Sequence, residues 1–324
     1  MTAEIRAGRG EGVGADGAAT SLTTGEVSES ARKAVDQAKR HKKRAPGFRR
    51  LVQRFVRQPG PMVALGVLVL IVVLAALAPL ITRFDPDATN LRNALQGPSA
   101  EHWLGTDELG RDTFTRLFFA ARVSLFAAVQ AVGVGLALGV VPGIIAGYAG
   151  GWVDAIIMRI TDVFLAFPPI ILAIAIVGVL GPNLRNAMFA IGLVFAPRFL
   201  RLMRSSVMQV REETYIEASR SIGTPTFGIL WRRVLPNSLS PLIVQLSLAA
   251  GVAMIAEATL SFLGLGVQPP QASWGSMVGR AVRHIDRAPW LIVFPGLAIA
   301  VTVLALNIFG DGLRDSFGRE RRRE

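Results

Sequence analysis

The sequence predicts an all-α polytopic membrane protein with six transmembrane helices, and three observations carry that prediction. Half of the 324 residues are apolar (51%) and only 18% are charged, against about 25% in soluble domains; mean hydropathy is +0.44. The apolar residues are clustered: Met62–Ile81 runs twenty residues without a charge, Val123–Val153 thirty-one and Ala288–Gly310 twenty-three. A helix needs about 20 apolar residues to cross a bilayer core. Basic residues, thirty-one of them arginine, gather at the ends of these runs and in the first sixty positions. The net charge of +12 therefore fits a membrane lipid surface, and no nucleic-acid partner is expected.

Residues 1–46 are rich in Gly, Ala, Ser, Thr and charge. They lack the apolar surface that would offset ordering entropy, so a disordered cytoplasmic tail is expected. It is not read as a cleavable signal peptide, because the first apolar run begins sixty residues in and is too long. Within 47–61, Phe48, Leu51, Val52, Phe55 and Val56 recur at helical spacing, with Arg49, Arg50, Arg54 and Arg57 opposite. That pattern predicts an amphipathic interfacial helix, a calmodulin-type target being the rival. Gln58-Pro59-Gly60-Pro61 then turns the chain into the first span.

The six spans are expected near 62–82, 123–148, 160–181, 186–206, 239–263 and 289–310, a membrane domain over 62–312 followed by a basic cytoplasmic tail, 313–324. In the fourth, only Asn186–Pro197 is uncharged, so the helix has to continue through Arg198, Arg201 and Arg204, whose side chains snorkel toward the interface. With the N-terminus inside, 26 of the 35 Lys and Arg residues fall in inside segments and 9 outside. Both termini are therefore expected in the cytoplasm of a bacterial cell, with the chain in its inner membrane. In the second span Gly135, Gly139, Gly143 and Gly147 continue a small-residue stripe begun by Ala127 and Ala131. Such a stripe lets helix backbones approach, within the subunit or between subunits; Pro142 is expected to bend this helix.

Little in the chain suggests catalysis. With no cysteine and three scattered histidines, no metal site is expected, and no disulfide or thiolate chemistry is available. All four lysines lie in the head, which excludes a P-loop, and no G-x-S-x-G or H-E-x-x-H occurs. Few acids lie in or near the apolar runs. Asp162 is expected to pair with Arg159 at i, i+3. Glu257 has no obvious partner and is placed toward the hydrated outer end of its span.

The longest inside loop, 205–238, holds the functional signal. From Arg211 to Gly223 acidic residues come first, Arg220 late and glycine at the C′ position, which predicts a short helix with a glycine stop. Thr224 and Pro225 then start a second helix that Pro236 ends. Two capped helices would make a rigid knob able to pass a push between a cytoplasmic partner and the spans.

At these residues the chain resembles the permease subunits of bacterial ABC importers. Glu217-Ala218-Ser219, Gly223 and Val234-x-Pro236 are similar to their EAA loop, with Ser219 in place of alanine and Val234 in place of isoleucine. Leu104-Gly105-Thr106-Asp107-Glu108-Leu109-Gly110-Arg111-Asp112, Arg122-Val123-Ser124-Leu125, Ser273-Trp274-Gly275 and Asn307-x-x-Gly310-Asp311 narrow the likeness to C-type subunits of dipeptide and oligopeptide permeases. The resemblance implies a non-catalytic subunit that forms half of a translocation path for short peptides. It implies as partners a homologous B-type permease, two cytoplasmic ATPases and an extracytoplasmic peptide-binding protein. ATP and Mg would bind the ATPases, and this chain would carry no cofactor. Glu217, Ala218, Ser219, Gly223 and Pro236 would belong to the coupling loop. Gly105, Thr106, Asp107, Gly110, Arg111 and Asp112 would form a motif in the first outer loop. A nickel chelate or glutathione is the alternative cargo; an ATP-independent transporter or a membrane-embedded enzyme is the alternative class.

Overall fold

The computed structural model describes residues 48–318, which hold helices, turns and one isolated bridge but no strand. The tail expected over 1–46 lies outside the described residues. The amphipathic pattern becomes α1 (Phe48–Val56), and α2 (Pro59–Ala76) follows with Pro59 at its first position, where the missing N–H costs no hydrogen bond. Phe55 is buried edge-on against Phe309, ring centroids 5.4 Å apart, while Val52 and Val56 stay exposed. The amphipathic helix is thus docked on the last helix as well as amphipathic. A single turn, α3 (Ala78–Ile81), prolongs the first span.

The second span, α4 (Thr113–Ala149), is 37 residues long and starts ten residues before the expected boundary at 123. Two features permit the early start. The Asp112 carboxylate accepts from the Thr115 amide at 2.8 Å and caps the helix. Arg116, only 2% exposed, donates to the Pro86 carbonyl (2.6 Å) and to Asp87 (3.2 Å), so its charge is met by the preceding loop.

The third span departs most from expectation. In place of one helix over 160–181 there are two, α5 (Gly151–Leu165) and α6 (Pro169–Leu180), bent 90° apart. Pro168 and Pro169 explain the break. Neither has an amide hydrogen, and Pro168 disfavours helical backbone at Phe167.

The fourth span, α7 (Leu184–Arg211), is continuous through Pro197 and the three arginines. It runs parallel to α4. Gly135, Gly139, Gly143 and Gly147 successively meet Gly192–Phe199, Ala196–Leu200, Leu200–Met203 and Arg204–Val207. Parallel neighbours require the 150–183 segment to return across the bundle, so α5 and α6 together make one broken crossing. With five helices long and apolar enough to cross by themselves, the crossings number six among the described residues.

The fifth span is α11 (Ser240–Phe262) and the sixth α13 (Trp290–Gly318), reached through a short α12 (Trp274–Ala281). Because α13 continues past 312, its last turn replaces the first part of the expected tail. Gly312 lies against Pro61 and Phe55, and Ser316 donates to the Gly312 carbonyl at 2.8 Å.

Two ionic expectations are corrected. Asp162 pairs with Arg201 of α7 at 2.6 Å, not with Arg159 of its own helix, and Asp154 receives both Nε and Nη2 of Arg204 at 2.5 Å. The arginine face of α7 packs alongside α5, which supplies a partner from another helix where a local i, i+3 partner was expected. Glu257 is not hydrated: it is 1% exposed, with Ser261 Oγ donating to one carboxylate oxygen at 2.7 Å and Ser124 Oγ to the other at 3.4 Å.

Candidate functional site

The loop expected over 205–238 begins later, since α7 runs on to Arg211; residues 212–238 form a structured knob at the end of the bundle where α4 and α7 finish. α8 (Thr214–Ser221) carries Glu217 in its first turn and Arg220 in its last, the order the helix dipole favours. Its stop is a Schellman arrangement: Gly223 N–H donates to Arg220 O (2.9 Å) and Thr224 N–H to Ser219 O (3.1 Å), with Gly223 at φ +77°.

The second helix differs from its prediction. Pro225 is the N-cap residue, not the first helical one, and Thr224 makes no side-chain cap. The helix does not end at Pro236. α9 (Thr226–Ile229) passes through a π turn (Leu230–Val234) into α10 (Leu235–Ser238), which contains Pro236. A π turn places its hydrogen bonds one residue further apart, which makes room for a proline ring that an α turn would exclude.

The inner face of the knob is fastened. Ile216 and Ile229 are buried, Ser219 is 1% exposed and receives a hydrogen bond from Arg233, and its own hydroxyl donates to Tyr215 O at 2.5 Å. Asn237 links Arg233 O (2.6 Å) to the Tyr215 hydroxyl (3.3 Å). Burial pushes the Tyr215 phenol above its usual 10, and the Glu213 carboxylate adds to that. At the base Arg211 donates to Tyr148 O (2.9 Å), and the Arg220 guanidinium lies 5.7 Å from the centre of the Tyr148 ring. The knob is therefore tied to the ends of both α4 and α7.

Of the residues singled out in this loop, Glu217, Ala218, Gly223 and Pro236 are exposed. Ser219 is not: it faces inward and positions the helix. Ile222, Phe227 and Trp231 are exposed as well, at 76%, 73% and 62%, with the two aromatic rings stacked at 6.3 Å. The sequence reading missed this aromatic pair, although its i, i+4 spacing beside the loop motif was a usable signal.

At the opposite end, the Gly105–Asp112 motif folds into a closed knot. Asp107 accepts from the amides of Leu109 (2.9 Å) and Arg111 (3.0 Å) and from Arg111 Nε at 2.7 Å. Asp112 both caps α4 and accepts from His102 Nδ1 at 2.9 Å. The Thr106 hydroxyl donates to the Asn93 carbonyl and accepts from the Gln96 amide. Gly105 and Gly110 both have positive φ, +73° and +72°. Arg280 of α12 lies close enough to feel Glu108 and Asp107, though burial dominates and holds its guanidinium below the ordinary range. Thr106, Asp107, Arg111 and Asp112 are buried by these mutual bonds, so they build the loop and do not offer themselves to a ligand.

A Cβ at Gly110 would overlap the Asn90 carbonyl, and φ +72° is strained for any L side chain. Gly110→Ala is therefore expected to destabilise the subunit by about 2 kcal/mol or more, measurable as a lower melting temperature in detergent.

Residues 139–323 match the family described as binding-protein-dependent transport system inner membrane component, and residues 48–98 match the N-terminal TM domain of oligopeptide transport permease C. The chain is 48% identical to the dipeptide transport system permease protein DppC of Alkalihalophilus pseudofirmus, over 79% of this chain and 84% of that one. It is 44% identical to the glutathione transport system permease protein GsiD of Pectobacterium atrosepticum, over 83% and 90%. Its fold is similar to a chain of the MetNI methionine ABC transporter in inward-facing form, with a TM-score of 0.51 over 61% of this chain and 94% of that one, at 18% identity. A broken six-crossing bundle with a fastened helical knob at one end agrees with those matches: the chain belongs to the binding-protein-dependent transport system inner membrane components, and it is a non-catalytic permease subunit of an ABC importer.

Proposed function

We propose that this subunit carries short peptides, that both its termini face the cytoplasm, and that the 212–236 knob seats on a cytoplasmic ATPase. One observation carries the coupling role. The exposed side chains of Glu217, Ala218 and Ile222, and of Phe227 and Trp231 on the helix that follows, belong to a knob fastened by the Gly223 stop, the Arg220–Tyr148 contact and the bonds that Arg233 and Asn237 make to Ser219 and Tyr215. A surface so held transmits displacement to α4 and α7 instead of absorbing it. The wider assembly would comprise a homologous second permease, two ATPases that bind ATP and Mg, and an extracytoplasmic binding protein. The inside excess of basic residues supports the orientation.

The peptide cargo is supported by the dipeptide permease relative. The 44% likeness to a glutathione permease favours glutathione, itself a tripeptide, as the second reading. Uptake of labelled di- to hexapeptides and of glutathione, by cells lacking the chain and complemented with wild type, Glu217→Ala or Gly223→Val, separates the readings. Wild type is expected to restore peptide uptake. Both variants are expected to fall at least fivefold with the complex still assembled. Gly223→Val has open space around it, so its effect would come from the left-handed backbone alone. Uptake of glutathione without other peptides would select the second reading, and full rescue by both variants would remove the knob from the mechanism.

A further inference from the structure

Arg198 is the one arginine of the α7 trio without an acidic partner among the described residues. Arg201 and Arg204, three and six positions on, are paired with Asp162 and Asp154 of α5. Arg198 is exposed and sits almost midway along the 28-residue helix, fourteen residues from Leu184 and thirteen from Arg211. At 1.5 Å per residue that is about 20 Å from either end of the helix, and an ionisable side chain without a partner inside a span is read first as a functional group.

It borders a cavity of about 130 Å³ between α6, α7 and α11, whose other lining is apolar, including Pro169, Ile170, Phe195, Val252 and Ile255. The 90° break between α5 and α6 lies beside this cavity, since Pro169 and Ile170 begin α6. Non-helical backbone at membrane depth is tolerated where it is buried in protein or lines a water-filled passage. The volume suits a single small anionic group with a few waters and is too small for a whole peptide.

We propose that Arg198 binds the free carboxylate of the transported molecule during passage. The inference rests on the peptide reading above, since dipeptides and glutathione alike carry that group. Two of the trio are neutralised by acids of α5, which leaves the third available to a diffusing carboxylate. A planar guanidinium suits a carboxylate because it can donate two parallel hydrogen bonds.

The test uses the whole transporter with its binding protein, reconstituted in proteoliposomes and supplied with a labelled dipeptide. Arg198→Gln is expected to lower uptake about tenfold or more, the loss of a charge-assisted bond. Binding-protein-stimulated ATP hydrolysis and co-purification of the other subunits should stay at wild-type level, so ATP consumed per peptide rises by the same factor. Arg198→Lys should recover part of the uptake. Uptake at wild-type level in Arg198→Gln overturns the proposal. So does a parallel fall of uptake and ATP hydrolysis, and loss of co-purification would assign Arg198 to a carboxylate of the neighbouring permease. If wild type moves no dipeptide or glutathione, the peptide reading fails first and takes the inference with it.

Discussion

Gly139→Leu is expected to remove the folded subunit from the membrane. A Cβ at this position would lie 2.5 Å from the Ala196 carbonyl oxygen, 2.8 Å from Phe199 Cβ and 3.0 Å from the Leu200 amide. Two of these atoms are backbone, so no rotamer change relieves the overlap and α4 has to move away from α7. The same holds one turn on, where Gly143 faces the Leu200 carbonyl at 2.7 Å, and again at Gly147, which faces the Arg204 carbonyl at 2.7 Å. In lipid the helices gain no hydrophobic energy by associating, so close packing is the main attraction between them. Forcing them apart costs about 3 kcal/mol or more for the inserted atoms alone. A stability of about 5–15 kcal/mol leaves little margin for that loss. The measurement is the yield of monodisperse subunit after detergent extraction. Gly133→Leu is the control on the same helix, because nothing lies within 4 Å of its Cβ position. Equal yields from the two variants would show that the stripe does not hold α4 to α7.

That this face of α4 meets another helix was legible in the sequence, because a four-residue repeat of small side chains is a local pattern that serves close packing in lipid; that the partner is α7 of the same subunit was not. The spans were legible for the same reason, each being a continuous apolar run. The break at Ala166–Pro168 was present in the sequence too, as consecutive prolines inside an apolar stretch. The even hydropathy around them outweighed that punctuation. The partners of Asp162 and Glu257 were another matter. Arg201 lies 39 residues from Asp162 and Ser124 lies 133 residues from Glu257, and only the packed bundle brings them together. Ser261, four residues beyond Glu257, was the exception that helical spacing could have supplied. At the knob, the glycine stop at Gly223 followed from residue type and position. The inward turn of Ser219 depends on Arg233 of the second helix, which no spacing rule connects to it.

Glu257 supports the other large effect expected. Its two carboxylate oxygens hold two hydroxyls, and each hydroxyl holds a backbone amide of the 263–289 segment. Ser261 Oγ donates to the carboxylate and accepts from Val267 N–H at 3.4 Å; Ser124 Oγ does the same with Trp274 N–H at 3.1 Å. One buried acid thus joins α4, α11 and the start of α12. The fit around it is close: a Cβ at Gly266 would overlap Ser261, and one at Gly275 would overlap Ala258. Glu257→Ala leaves both hydroxyls without their acceptor and opens a void, which together cost about 3–5 kcal/mol. Glu257→Gln keeps the shape, accepting one hydroxyl through its carbonyl, and should cost less than half as much. The check is thermal unfolding in detergent, together with protease cleavage between Gly264 and Trp274. Glu257→Ala should melt well below Glu257→Gln and be cut faster there, because the segment has lost its tether to α4. Equal melting and equal cleavage of the two variants would mean that the segment is held by the Trp274 side chain, whose Nε1 donates to Leu117 O at 2.9 Å, and not by the acid beneath it.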